Sequence, residues 1–243
     1  MIVNACGKAV SPIPEIDYTG TYSYLISEDE SWIITLKTSG TLTFRHLGNA
    51  ENGVDIFLVG GGGNGASGTS NGWNGGAGGG SGYTTTQKNI TVLSNTPYTI
   101  TIAGSEGTTS ALGYSAAGGS GQSGKRTGGA SGGAMGTNYW NELVPTKAGV
   151  GTDGEYAFGE SGFAHALGAG YKFAASGGGG SGVNAWGHGT PGAGGASGGG
   201  SGSNAWNVGG AGAANSGGGG GGGGGYTAGG AGGSGIVIIR SAR

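Results

Sequence analysis

Ser216-Gly217-Gly218-Gly219-Gly220-Gly221-Gly222-Gly223-Gly224-Gly225-Tyr226 is an unbroken run of nine glycines between a serine and a tyrosine. Composition alone reads it as a flexible linker, because glycine loses the most conformational entropy on ordering. A second reading is an extended left-handed helix of the polyproline II type, with three residues per turn, ~3.1 Å rise per residue and no internal hydrogen bonds. Nine residues would then span about 28 Å. Their buried N–H and C=O groups would need partners, and neighbouring helices can supply them only where side chains are small. Collagen places glycine at every third position for this reason. Here Gly177 to Gly180 and Gly217 to Gly225 fill all three phases. That pattern suits a lattice in which each helix touches neighbours on several sides.

The ends of the tract favour the lattice. It opens after Val54-Asp55-Ile56-Phe57-Leu58-Val59-Gly60 and closes on Gly235-Ile236-Val237-Ile238-Ile239-Arg240. Both are short β-branched runs of the kind that form buried strands. A disordered tail has no need of a hydrophobic strand at its far end. A closed domain does, since the chain must return to a sheet it left about 175 residues earlier. From Phe173 to Ile239 there is no Asp, Glu, Lys or Arg, whereas disordered segments usually stay soluble through charge.

Glycine fills 68 of 243 positions and charged residues 9%, against a usual ~7% and ~25%. A net charge of −2 gives no electrostatic footprint for nucleic acid. Cys6 is the single cysteine, which excludes an internal disulfide and a thiolate metal cage. No apolar run approaches the ~20 residues of a membrane-spanning helix. Met1 to Gly7 lacks the basic region and apolar core of a signal peptide, so action outside a cell would follow release by lysis.

Along the chain, residues 1–20 read as a lead-in or an attachment arm, with Pro12 and Pro14 forbidding a helix. The domain proper is expected over 21–243. Strands are predicted at Tyr22–Ile26, Trp32–Lys37, Thr41–Arg45, Val54–Val59, Tyr83–Gln87, Ile90–Leu93, Tyr98–Ala103 and Ile236–Arg240. Glu28 to Ser31 and Ser39-Gly40 are expected turns, the second returning the chain as a hairpin. The expected fold is mainly β: a β-sandwich of short strands closing a packed bundle of polyglycine II helices with aromatic loops.

The order Trp32-Ile33-Ile34-Thr35-Leu36, Gly40-Thr41-Leu42-Thr43-Phe44, Phe57-Leu58-Val59-Gly60-Gly61-Gly62-Gly63, Tyr98-Thr99-Ile100-Thr101-Ile102-Ala103-Gly104, a long glycine tract and Gly235-Ile236-Val237-Ile238-Ile239-Arg240 resembles the glycine-rich domain common in phage and bacterial surface proteins. The resemblance covers roughly residues 30–240. It also extends to the polyglycine-sandwich tip adhesins of T-even-like phage long tail fibres. It implies a β-sandwich carrying bundled polyglycine II helices that present aromatic loops to a bacterial surface receptor. Residues 1–20 do not match the fibre-attachment part of those adhesins.

An internal repeat points to the loops. Ser181-Gly182-Val183-Asn184-Ala185-Trp186 recurs as Ser201-Gly202-Ser203-Asn204-Ala205-Trp206, 20 residues on. Ten residues of extended helix span ~31 Å, so the period suits one helix up and one down, with both Asn-Ala-Trp loops at the same end. Asn71-Gly72-Trp73-Asn74 and Asn138-Tyr139-Trp140-Asn141 are similar clusters. A tryptophan in a polar turn offers a large rigid face with few torsions to freeze, and such faces also stack on sugar rings. Trp73, Tyr139, Trp140, Asn184, Trp186, His188, Asn204 and Trp206 are therefore the candidate receptor-binding residues. The competing reading makes the tryptophans caps that keep water off the helix ends. Residues 137–172 are less glycine-rich and hold Tyr139, Trp140, Tyr156, Phe158, Phe163, His165 and Tyr171. They read either as one long specificity loop or as a satellite core under an insertion.

No catalytic, cofactor or metal site is expected. Gly129-Ala130-Ser131-Gly132-Gly133 and Gly195-Ala196-Ser197-Gly198-Gly199 fit the hydrolase elbow, but neither follows a strand. Gly119 to Arg126 approaches a phosphate-binding loop, yet Arg126 stands where the magnesium-holding Ser/Thr belongs. His46, His165 and His188 have no ligand spacing. Three functions follow: a receptor-binding adhesin at a phage virion tail tip, a structural spacer without its own receptor, and ice binding, for which flat polyglycine arrays are known in an antifreeze family. Expected partners are a bacterial surface glycan or protein and, through residues 1–20, a tail fibre or tail-tip protein, with no nucleic acid and no membrane insertion.

Overall fold

The computed structural model describes residues 2–3, 9–10, 12–26, 31–71, 73–121, 132–133, 151, 153–160, 172–175, 177, 183–184, 187–188, 190–196, 198–204 and 206–242. Strands β1 (Ile2–Val3), β2 (Ala9–Val10), β3 (Glu15–Tyr18), β4 (Tyr22–Ile26), β5 (Trp32–Leu36), β6 (Gly40–His46) and β7 (Val54–Val59) precede the glycine tract. Within it lie β8 (Thr84–Ile90), β9 (Pro97–Ile100), β10 (Thr109–Ala111), β11 (Tyr114–Ala116), β12 (Val183–Asn184) and β13 (Gly187–His188), and β14 (Ile236–Ser241) ends it. The fold is mainly β, as the sequence predicts. A five-stranded antiparallel sheet, β4-β5-β14-β7-β8, faces a three-stranded one, β3-β6-β9.

Strand period fixes the core. On the inner face Trp32, Ile34, Leu36, Ile56, Leu58, Val237 and Ile239 meet Leu42, Phe44 and Ile100 of the smaller sheet. The closing strand β14 inserts between β5 and β7, with Ile236 opposite Val59 and Val237 opposite both Leu58 and Leu36. The chain does return to the sheet it left before the glycines.

Three expectations are corrected. Ser39-Gly40 does not close a hairpin, because β5 and β6 belong to different sheets and the turn carries the chain from one layer to the other. The sandwich also starts earlier than residue 21. Ile16 and Tyr18 alternate inward from β3 onto the core, Pro14 is buried, and the Tyr24 hydroxyl donates to the Pro14 carbonyl at 2.9 Å. Finally, the strand expected at Tyr83–Gln87 runs on to Ile90 as β8, with a register shift opposite β7, and residues 91–93 form no strand. The expected turn at 28–30 lies outside the described residues.

The glycine tract is a lattice with a period of three. In rod 60–69, the N–H groups of Gly60, Gly63 and Ala66 bond Tyr83, Gly80 and Ala77 of rod 75–83, and that of Thr69 bonds Asn74 just before it. Gly62, Gly65 and Gly68 bond Gly233, Gly230 and Thr227 of rod 227–235. Gly61 bonds Gly107, and the Asn64 N–H reaches the Glu106 carboxylate. Each phase of a three-residue turn thus addresses a different neighbour, as a polyglycine II helix requires.

The run 217–225 sits at the centre. Its N–H groups donate to rod 60–69 (Gly220 to Gly63, Gly223 to Ala66), to rod 207–213 (Gly221 to Gly210, Gly224 to Asn207) and to Ala175 (from Gly219). Its carbonyls accept from rod 75–83, from rod 227–235, and from Gly200 and Ser203 of rod 198–203. Six segments surround it, so no phase is left for a side chain.

Rim rods carry side chains on an outward phase. Val208, Ala211 and Ala214, Ala228, Ala231 and Ser234, and Thr190, Ala193 and Ala196 all recur every third residue, and all but the half-buried Ser234 are exposed.

Sandwich and lattice are joined at the turn before the central rod. Asn215 has φ 54°, and its Nδ2 donates to the Lys37 carbonyl at 2.7 Å and the Gly235 carbonyl at 3.1 Å. Losing this suture should cost about 1–3 kcal/mol. Asn215→Ala is therefore expected to lower the urea midpoint without changing the slope of the transition. An unchanged midpoint would show the suture to be idle.

The outer face of the larger sheet is also covered. Phe158, Phe173, Ala157 and Ala174 pack on Ile33, Phe57, Val59, Ile236 and Ile238. The described part of 137–172 is thus the satellite core rather than an exposed specificity loop, and Phe158 is buried. A buried Arg240 pairs there with Asp55 and Glu160.

Candidate functional site

Lattice topology decides which turns share an end. Rods 60–69 and 217–225 run parallel, since Gly220 and Gly223 bond Gly63 and Ala66 in step. Both leave the sandwich at their first residue, so the turns after them lie at the distal end. Rod 207–213 runs against 217–225, which puts the turn at 204–207 at that end too. The Gly202 N–H bonds Gly192 and the Gly199 N–H bonds Gly195. Rods 190–195 and 199–203 are therefore one down and one up, as the 20-residue repeat predicts.

Among the described residues, three turns meet at the distal tip. Thr69 N–H to Asn74, Asn207 N–H to Asn204, and Thr227 N–H to Gly224 close them, and Tyr226 N–H to Thr69 ties the first to the third. The Tyr226 hydroxyl donates to the Asn71 carbonyl at 2.8 Å. Thr227 Oγ1 donates to the Asn207 carbonyl at 2.5 Å, and the Ser203 hydroxyl donates to the same oxygen. Within the first turn, Asn71 Oδ1 accepts from the Thr69 hydroxyl at 2.6 Å and the Trp73 N–H at 3.2 Å.

At the centre, the Trp206 indole lies on the Tyr226 ring with centroids 5.0 Å apart and planes 8° from parallel. Trp206 is 63% exposed, Tyr226 50% and Trp73 38%. Tyr226 holds φ 69°, a left-handed conformation that is uncommon for a bulky residue. Strain of this kind persists only where the surroundings over-determine it. Here the preceding buried glycine and the bond to Asn71 do so.

Of the predicted residues, Trp73, Asn204 and Trp206 lie on these turns. Trp73 is on the turn that Tyr226 joins through Asn71, and Asn204 accepts from Asn207 Nδ2 two residues from the stack. Asn184 and His188 lie on the short β12–β13 pair, of which only the backbone is described. Tyr139, Trp140 and Trp186 lie outside the described residues. Tyr226 was not among the predicted residues. Its signal was present, as the first side chain after the longest glycine run.

The described part of the tip offers aromatic rings, side-chain amides and hydroxyls. Its described turns, 69–71, 73–75, 203–204, 206–208 and 225–227, carry no Asp, Glu, His, Lys or Arg. Among the described residues no group of His, Cys, Asp or Glu is placed to hold a metal ion. The elbow-like Gly195 to Gly199 forms a turn between two rods, with no strand before it. No described helix is long and apolar enough to cross a membrane.

Comparison with known proteins agrees with this architecture. No curated protein matches the chain. A family model described as a glycine-rich domain matches residues 37–242, which run from the last residue before the layer-switching turn to the end of the closing strand. The match holds the whole lattice and the strands from β6 to β14, with β3, β4 and β5 ahead of it, and over that span the chain belongs to the glycine-rich domain family.

Proposed function

We propose that the chain is a receptor-binding adhesin at a phage virion tail tip, recognising a bacterial surface glycan or protein through its aromatic distal turns. One observation carries this reading. The lattice gathers Trp206, Tyr226 and Trp73 from turns far apart in sequence and leaves all three exposed at one end. Contiguous exposed aromatic surface of this kind marks interaction sites. The chain acts without a metal or cofactor and is not an enzyme. Attachment to a tail fibre or tail-tip protein falls to the segment ahead of Glu15, since residues 15–18 are taken into the sandwich.

Labelled protein applied to a panel of bacterial cells tests the proposal, beside a variant with both Trp186→Ala and Trp206→Ala. Losing aromatic anchors of this kind costs about 2 kcal/mol or more, or roughly 30-fold in affinity. The expected result is that loss, with circular dichroism and melting unchanged. Equal labelling by both proteins would exclude these turns as the site. Labelling of no strain would leave a spacer role as the better account.

A further inference from the structure

We infer that the ligand of the distal tip is an uncharged polysaccharide, held with a pyranose ring on the open face of Trp206. The inference rests on the receptor-binding reading and names its ligand class.

The geometry of the stack is the first argument. Tyr226 covers one face of Trp206, yet Trp206 remains 63% exposed, so the exposed area is the opposite face. That face carries the negative side of the ring quadrupole, which attracts the polarised C–H groups on the flat side of a sugar ring. Protein partners concentrate their energy in desolvated pockets filled by anchor residues. The three turns present a flat ring face instead.

The rim is the second argument. Asn204 Oδ1 accepts from Asn207 Nδ2, and Asn71 Oδ1 is occupied by Thr69 and Trp73. The Nδ2 groups of Asn71 and Asn204 and the Oδ1 of Asn207 make no hydrogen bond among the described residues, and all three side chains are exposed. Side-chain amides offer donors and acceptors together, matching hydroxyl groups, which do both.

Charge is the third. The described turns hold no ionised side chain, and none occurs anywhere from Phe173 to Ile239. A carboxylate, phosphate or sulfate desolvated on this surface would find no counter-charge. The stack is also fixed before binding by the Tyr226–Asn71 bond, so little side-chain entropy is lost when the ligand arrives.

The test uses surface polysaccharide extracted from a strain the chain labels, freed of protein and lipid and immobilised. The chain should bind it, with affinity changing less than about twofold between 50 mM and 500 mM NaCl, since screening acts on charges. Trp206→Ala should lose at least about 20-fold while keeping its melting temperature, and Ala231→Ser on a rim rod away from the turns should match the parent. Periodate treatment of the cells should abolish labelling, and protease treatment should not. Loss with protease but not periodate would identify a protein receptor, overturning the inference while the adhesin reading stands. A tenfold fall in affinity with salt, or loss of binding once the carboxyl groups of the polysaccharide are reduced, would show an anionic ligand and overturn it. So would a folded Trp206→Ala variant that binds like the parent. Failure to label any strain would overturn the inference and the adhesin reading together.

Discussion

Gly221→Ala is expected to prevent the chain from folding stably. A Cβ at Gly221 would stand 1.9 Å from the Ser201 carbonyl oxygen and 2.3 Å from its carbon. At Gly220 it would stand 2.0 Å from the Gly230 oxygen, and at Gly218 1.9 Å from the Gly198 oxygen. The obstructing atoms are backbone, so no side chain can rotate away. Overpacking a side-chain core usually costs about 1–3 kcal/mol, because rotamers and small shifts absorb it. Here a neighbouring rod must move by more than an ångström, and it is itself bonded on several sides. The bonds at risk include Gly221 to Gly210 at 2.7 Å, Gly230 to Gly221 at 2.8 Å and Gly210 to Ser201 at 2.8 Å. A buried peptide group left unpaired costs about 1–3 kcal/mol. Two or three such losses plus the steric term reach about 5 kcal/mol or more, comparable with a domain's whole stability of about 5–15 kcal/mol. Urea unfolding of the parent, Gly221→Ala and Ala231→Ser provides the comparison. Ala231 is exposed on a rim rod, and its change should stay within about ±0.5 kcal/mol. A Gly221→Ala protein that melts within about 2 °C of the parent would disprove the central-rod arrangement.

That contrast shows what the sequence records of the lattice. The outward phase is legible, because an exposed position tolerates a methyl or hydroxyl and an enclosed one does not. Val208, Ala211 and Ala214 mark one rim rod, and Ala228, Ala231 and Ser234 another, while 217–225 has no marked phase because it has no outer side. Which rod neighbours which is not legible. Register in a sheet is specified by side chains that must fall on one face, and a glycine run gives the same pattern after any slip. The strands divide in the same way. Val54–Val59 and Ile236–Ser241 are plain as buried β-branched runs. Their placement in one sheet, with β6 in the other, depends on pairing between segments distant in sequence. β3 was obscured by Pro12 and Pro14 just before it. At the tip, the Asn-Trp turns identified Trp206 and Trp73. The ring that completes the stack comes from a turn 20 residues further on, and only the folded lattice brings it near.

Arg240→Ala is expected to cost about 3–5 kcal/mol, the range for leaving one partner of a buried ion pair alone. Arg240 and Asp55 side chains are 2% and 0% exposed. Asp55 Oδ2 accepts from Arg240 Nε at 3.2 Å and Nη2 at 3.1 Å, and Glu160 receives Nη1 at 2.7 Å and Nη2 at 2.9 Å. The guanidinium also lies 4.1 Å from the centre of the Phe158 ring, a favourable cation–π position. Burial alone would lower the guanidinium pKa, but the hydrogen bonds and charges of Glu160 and Asp55 outweigh it and raise the pKa, keeping Arg240 charged. Without Arg240, the Asp55 carboxylate would keep the Asn89 N–H at 3.1 Å and no cation. Glu160 would keep Lys88 at 3.9 Å, a half-exposed contact of a kind worth about 0–1 kcal/mol. The segment carrying Phe158 would loosen, exposing Phe57 and Ile238 beneath it. Replacing both partners, Arg240→Met with Asp55→Leu, should recover most of the loss, since apolar residues of similar volume can substitute for a buried pair. Urea unfolding of both singles and the double measures the coupling. A loss below about 1 kcal/mol for Arg240→Ala would mean that water reaches Asp55 and that the 153–160 segment is not needed to close this face. Because the distal turns lie at the other end of the rods, the variant, while still folded, should keep its affinity for cells. A stability loss at the sandwich with binding intact would separate what holds the lattice from what the lattice presents.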